Sequence, residues 1–191
     1  MLVFLDFEAT SLGKQGVPIE VAWVFEDGRE ETYLIRPAPN WTDWDDRAQV
    51  IHGIGRATLA SEGTAHDVVA RRMVEALSGH QLHASAPSWD GKWLSALLRA
   101  AGLPRHALRL RNSDAAFADA ARAALVGVIP LDRLEAIVSA LVARTLAEMA
   151  PVRPAHRALA DARLERDRWR AVRAAGAAFA CANTDIVDTA D

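Results

Sequence analysis

With a single cysteine, Cys181, the chain of 191 residues has no intrachain disulfide. That suits a reducing compartment and makes the cytoplasm the expected location. Long apolar runs are also missing. Nothing approaches the roughly 20 residues that cross a bilayer, so no membrane partner is expected. The N-terminus lacks a basic flank and a small-residue cleavage site, which argues against a signal peptide. Lysine is scarce, with Lys14 and Lys92 the only two. Almost all positive charge is therefore arginine, which can grip phosphate bidentately, although an alanine-rich chain of this kind also reflects genomic base composition. A net charge of −3 excludes a general polyanion binder.

What is present is ordinary soluble-protein material, 51% hydrophobic and 25% charged, in a length that fits one core. A single domain is expected over residues 1–179, with a frayed tail over 180–191. An apolar run from Val3 to Thr10 reads as a buried strand. Pro18–Phe25 is a second strand, Asp27-Gly28 a tight turn, and residues 31–35 a third strand stopped by Pro37 and Pro39. Residues 40–47, with Trp41 and Trp44, read as a loop. A helix is predicted over 64–78, capped by Thr64 and Asp67 and ended by Gly79. A strand follows at 81–86, a helix at 90–101 and a short strand at 108–110. Helices are then predicted at Ser113–Leu125, 131–149 and 158–174, the last preceded by breaks at Pro151 and Pro154. This order predicts an α/β fold, a five-stranded mixed sheet flanked by helices.

Asp6 and Glu8 stand out within the first strand. Buried carboxylates are costly unless paired or bound to metal, and no Lys or Arg occurs in the first thirteen residues. Residues two apart on a strand share a face, so the two acids can hold one cation between them. Hard oxygen donors without Cys or His favour magnesium or manganese over zinc. Asp90 follows the fourth predicted strand, near a helix start. His156 and Asp161 flank the start of the last helix. Five residues along an ideal helix point them about 140° apart, so both face one site only if His156 precedes the helix or lies in an irregular first turn.

Asp6-Phe7-Glu8-Ala9-Thr10, then Asp90, then His156-Arg157-Ala158-Leu159-Ala160-Asp161 resemble the three motifs of the DEDDh 3′–5′ exonucleases, in order and spacing, over nearly the whole chain. Val50-Ile51-His52-Gly53-Ile54 resembles the segment those enzymes carry between the first two motifs. The resemblance implies a ribonuclease H-like fold and two divalent cations, Mg2+ or Mn2+. It assigns Asp6, Glu8, Asp90 and Asp161 as metal ligands and His156 as general base. Phe7, Thr10, Leu12, His52, Ile54 and Trp89 become candidate substrate contacts. The implied substrate is the 3′ end of a single-stranded DNA or RNA, or a short oligonucleotide, cut to nucleoside 5′-monophosphates. Monomer and homodimer both stay open. Ser11-Leu12 after Thr10, where many relatives carry a glycine, and Ser88-Trp89 before Asp90 depart from the common pattern.

Each residue also has a structural reading. Asp90 is a natural helix N-cap, Asp161 a first-turn acid favoured by the helix dipole, and His52 a turn histidine. Ile54 and Trp93 fit a core, and Trp41 and Trp44 fit a loop anchor. The remaining histidines, His66, His80, His83 and His106, show no recognisable spacing. The arginines of the last helix, with Arg153 just upstream, outnumber its acids and could guide a phosphate backbone, or simply solvate the helix. A haloacid dehalogenase-type phosphatase is the first rival, but it needs an aspartate where Glu8 stands and a different final motif. The second rival is a catalytically inactive nucleic-acid- or protein-binding module of the same fold.

Overall fold

Strand β1, Leu2–Ala9, puts Val3, Leu5, Phe7 and Ala9 on the face that joins the main core. The alternate face carries Asp6 and Glu8, as the period of two requires. This computed structural model describes residues 1–150 and 155–184. β1 pairs antiparallel with β2, Pro18–Phe25, in a register that sets Asp6 opposite Ala22 and Glu8 opposite Glu20. β2 pairs antiparallel with β3, Glu30–Arg36. The β2–β3 turn closes through Gly28, whose φ of 99° is open to glycine at little cost. On its other side β1 pairs parallel with β5, Gln81–Ala84, which pairs parallel with β6, Leu110–Asn112.

Between β3 and β5 the chain forms α1, Asp46–His52, α2, Arg56–Glu62, β4, Thr64–Ala65, and α3, His66–Leu77. α4, Pro87–Ala100, joins β5 to β6. The sheet order is β4-β3-β2-β1-β5-β6. α3 and α4 cover one sheet face: Val69, Ala70, Met73 and Leu77 from α3, and Trp93, Leu94, Leu97 and Leu98 from α4, pack with the strands in one cluster. All eight residues of β2 are buried, as expected of a central strand. The mixed α/β sheet flanked by helices agrees with expectation, but it has six strands rather than five.

The sixth strand, β4, falls where the predicted helix begins. Thr64 and Ala65 pair with Ile35 and Arg36 at the open edge of β3, so a tertiary hydrogen-bonding opportunity overrides the local helix signal. α3 has no side-chain cap, and Asp67 instead pairs with Arg71 at 2.6 Å. The loop expected over 40–47 gives way to α1 at Asp46, because the Asp45 carboxylate accepts from Arg47 N and caps it. Gly53, at φ 73°, ends that helix. β6 lies two residues later than predicted, because Leu108 serves the core.

α5, Ser113–Leu125, has its predicted bounds, and α6 spans Leu131–Glu148. The last helix, α7, runs over Ala158–Thr184, well past its predicted end at Ala174. Its C-terminal half is rich in alanine, the best helix former, and contains no proline, so the single glycine, Gly176, does not end it. The helix thus includes the first residues of the expected tail, as far as Thr184; the rest of that tail, with Pro151, Arg153 and Pro154, lies outside the described residues.

Where one domain was expected, the chain divides into two compact units. One takes Met1–Asn112 with Pro154–Leu164, and the other Ser113–Arg153 with Glu165–Asp191. The first unit closes its own core around the sheet. In the second, α5 and α6 are joined by Arg122, which reaches Glu135 at 2.8 Å. No helix among the described residues is long and apolar enough to cross a membrane.

Leu98 is wholly buried between α4 and the sheet. Leu98→Ala is expected to lower unfolding free energy by about 2–5 kcal/mol, read as a shift of the urea midpoint without a change in slope.

Candidate functional site

Every residue of the predicted catalytic set belongs to the first unit. Asp6, Glu8 and Asp161 each offer one carboxylate oxygen, and those oxygens lie within 4.8 Å of one another. Two come from one face of β1, the third from the first turn of α7. Asp90 is 2% exposed in the first turn of α4, and its charge reaches Glu8. Burial is the main reason why the Glu8 pKa is pushed up to about 7; Asp161, Glu20 and Asp90 add to the rise, while Arg157 opposes it. Such a cluster of like charges fits a divalent cation. Its donors are all hard oxygens, and a cation between them would offset the burial and the repulsion that together hold a proton on Glu8.

His156 stands outside the last helix. It lies two residues before α7, in the left-handed region at φ 49°, where histidine is among the more tolerated side chains. His156 is exposed. Arg157 N donates to Asp161 Oδ2 at 3.2 Å, and Asp161 N donates to the Arg157 carbonyl at 3.1 Å, which closes the turn around the irregular residue.

Glu20 then fastens this turn to the sheet. Although only 3% exposed, its carboxylate accepts Arg157 Nη2 at 2.7 Å, Arg157 Nε at 3.1 Å and the first helical amide, Ala158 N, at 2.9 Å. The hydrogen bond to Glu20 holds the Arg157 guanidinium even more firmly protonated than usual. Sequence reasoning missed Glu20. The signal was there: Glu20 is the single charged residue of an apolar strand, the same anomaly that marks Asp6 and Glu8.

The expected substrate contacts are scattered. Phe7 packs into the core, on the strand face opposite the acids, and so does not face the site. Thr10 is buried; its hydroxyl donates to Asp43 Oδ2 at 2.7 Å and accepts from Val17 N at 3.1 Å, while Ser11 donates to the same Asp43 oxygen at 2.7 Å. Asp43, a second residue missed in the sequence, thus shapes the turn after β1. Leu12 is 66% exposed beside it. His52 is buried, its Nδ1 accepts from Ile54 N at 3.0 Å, and its pKa is lowered mainly by burial, with Glu20 opposing and Arg157 and His156 contributing. That coupling places His52 within electrostatic reach of the His156 turn. Ile54 fills a small core with Ile19 and Leu59.

Trp89 is exposed and stacks on the buried Trp93 at 6.0 Å between ring centroids. Trp41 packs against the main core and Trp44 against the smaller one. The last-helix arginines mostly serve acids: Arg163 with Glu30, Arg166 with Asp167 and Arg168 with Glu165. A phosphate-guiding face on that helix is therefore not supported.

No protein-family model matches the chain, and no curated protein sequence matches it. Solved structures do. Exonuclease I from Escherichia coli, in a zinc-bound complex with single-stranded DNA, matches with a TM-score of 0.64 and 18% identity over 91% of this chain and 40% of that one. Exonuclease I from Methylocaldum szegediense matches at 0.65 and 20% identity, over 91% and 40%. Escherichia coli exonuclease I with a dA16 oligonucleotide matches at 0.61 and 17% identity, over 87% and 39%. This chain thus spans about two fifths of those neighbours' length. What it shares with them is the fold, a ribonuclease H-like mixed sheet flanked by helices.

Two measurements probe the site. Arg157→Ala strands a buried carboxylate and should cost about 3 kcal/mol, read by chemical denaturation; a loss below about 0.5 kcal/mol would show that Glu20 is satisfied without it. The second concerns pH. Between 4.5 and about 7 the folded metal-free chain keeps a proton on Glu8 that the unfolded chain has released, so this group's contribution to stability falls as pH rises through that window. Cation binding works in the opposite direction, because the proton must leave first. Manganese affinity, followed by calorimetry, should be about 10-fold weaker at pH 6 than at pH 8; equal affinity at both would disprove the coupling.

Proposed function

We propose that the chain is a metal-dependent 3′–5′ exonuclease of the DEDDh type that releases nucleoside 5′-monophosphates from single-stranded nucleic acid. The observation that carries this reading is the convergence of Asp6, Glu8 and Asp161 from both ends of the sequence, with Asp90 close enough to act on Glu8, on a fold shared with exonuclease I. Asp6, Glu8, Asp90 and Asp161 would hold two divalent cations, Mg2+ or Mn2+, which supply stabilisation of the attacking and leaving oxygens of an in-line displacement.

The chain's own residues then divide the remaining work. His156 takes the proton of the attacking water, a task for which imidazole is suited near neutral pH. Its exposed position leaves it open to water, and the turn clamped by Glu20 fixes where it stands relative to Asp161. His52, held through its Nδ1 by Ile54 N, borders the same turn and presents a candidate contact for the terminal nucleotide. The neighbours complexed with single-stranded DNA make DNA the first substrate to test, and a matched RNA strand tests discrimination at the 2′-hydroxyl.

A 3′-labelled oligonucleotide with manganese is the direct assay. Wild-type protein should release labelled mononucleotide. Asp6→Ala should abolish release, and His156→Ala should slow it by about 10²–10⁴-fold. Equal inactivity of wild type and Asp6→Ala on DNA, RNA and dinucleotide would instead favour the non-catalytic binding module.

A further inference from the structure

Of the proposed catalytic set, Asp6, Glu8, Asp90 and Asp161 sit in strands or helices, and His156 alone sits in neither. Its side chain is exposed. Its backbone is at φ 49°, a left-handed conformation that persists only where the surroundings over-determine it. The turn around it must therefore hold it. Asp161 is placed differently. It lies inside α7, whose first residues include the wholly buried Ala158 and Ala162, and Arg163 beside it pairs with Glu30 of β3.

A helix begins with amides that have no partner inside it, and it grows backward only by turning those amides onto earlier carbonyls. Here they are already taken. Ala158 N donates to Glu20 Oε2 at 2.9 Å, and Arg157 N donates to Asp161 Oδ2 at 3.2 Å. With both amides committed to carboxylates, α7 starts at Ala158. Glu20 adds the Arg157 guanidinium, accepting Nη2 at Oε1 and Nε at Oε2. Both of its oxygens are thus occupied. Glu20 stands opposite Glu8 in the strand register, yet it holds the turn instead of adding a further ligand to the acids. If α7 grew back by one turn it would take in Arg157 and His156. Five residues along an ideal helix would then point His156 about 140° away from Asp161.

We propose that Glu20 is a positioning residue for the general base. By fixing the residue at which α7 begins, it keeps His156 out of the helix, the condition under which His156 and Asp161 can face one site. Glu20 touches neither substrate nor metal in this role and acts through Arg157 and the Ala158 amide. The kinetic consequence rests on the exonuclease reading of the site; the conformational consequence does not. A neutral residue at position 20 leaves no buried charge behind, because the Arg157 side chain is 52% exposed and can turn to water.

The test uses the full chain with Glu20→Ala and Glu20→Gln, each made in the wild-type and the His156→Ala background. Hydrolysis of a single-stranded oligonucleotide is measured in manganese. In the wild-type background Glu20→Ala should lower kcat about 100-fold and leave KM unchanged. Glu20→Gln, whose amide oxygen can still accept from Ala158 N, should recover part of that loss. In the His156→Ala background Glu20→Ala should cost nothing more, because the group it positions is already gone. An equal loss in both backgrounds, or a loss confined to KM, overturns the assignment. In parallel, the carbon-13 Cα shifts of His156 and Arg157 are followed by NMR in metal-free buffer. They should move to helical values in Glu20→Ala; shifts that stay at their wild-type values overturn the proposal. If Glu20→Ala does not fold, Glu20→Gln carries both measurements, with a smaller change in the same direction. If wild type hydrolyses nothing, the exonuclease reading fails, and the Cα shifts alone then decide whether Glu20 sets the start of α7.

Discussion

His156 and Asp161 flank Arg157, which reaches the sheet 137 residues after the carboxylate that receives it. Glu20 holds them there by a fork of hydrogen bonds to Arg157 and by capping the first amide of α7. A buried ion pair rarely adds net stability over a well-packed apolar substitute. Here its value is positional. A hydrophobic pair could bury the same surface, but it would not orient the turn that sets His156 on one side of Arg157 and Asp161 on the other.

The same contact feeds the electrostatics of the site. Glu20 lies opposite Glu8 in the β1–β2 register and adds to the repulsion that raises the Glu8 pKa, while Arg157 partly offsets it. The clamp and the metal cluster are therefore neighbours in one field. Other acids of the fold also take arginine partners, as Glu30 takes Arg163.

How far the sequence was legible depends on how local each signal is. The bounds of β2 and α5 could be read directly, because an apolar strand and an amphipathic helix announce themselves over many residues. β4 could not: two residues have no periodicity, and its existence depends on the free edge of β3. α1 and α2, seven residues each, fell below the length at which a pattern is visible. In the site, each acid was conspicuous within its own segment. Glu20 was equally conspicuous and was missed because no partner within its segment suggested a use; Arg157 is distant in sequence. Phe7 was named as a substrate contact from its motif, whereas strand alternation turns its side chain into the core.

β1 has one antiparallel neighbour and one parallel neighbour, and its two faces have opposite needs. Sliding it by one residue against β2 would send Asp6 and Glu8 into the packed layer of α3 and α4 and turn Leu5 and Phe7 out toward the acids' former place. The penalty would fall on hydrophobic packing and on charge burial together. The strand's alignment is thus self-proofing: a chain that has packed its core has, by that act, already assembled its acidic face. Well-folded but misaligned copies of this site are excluded by the same alternation that made the two acids visible.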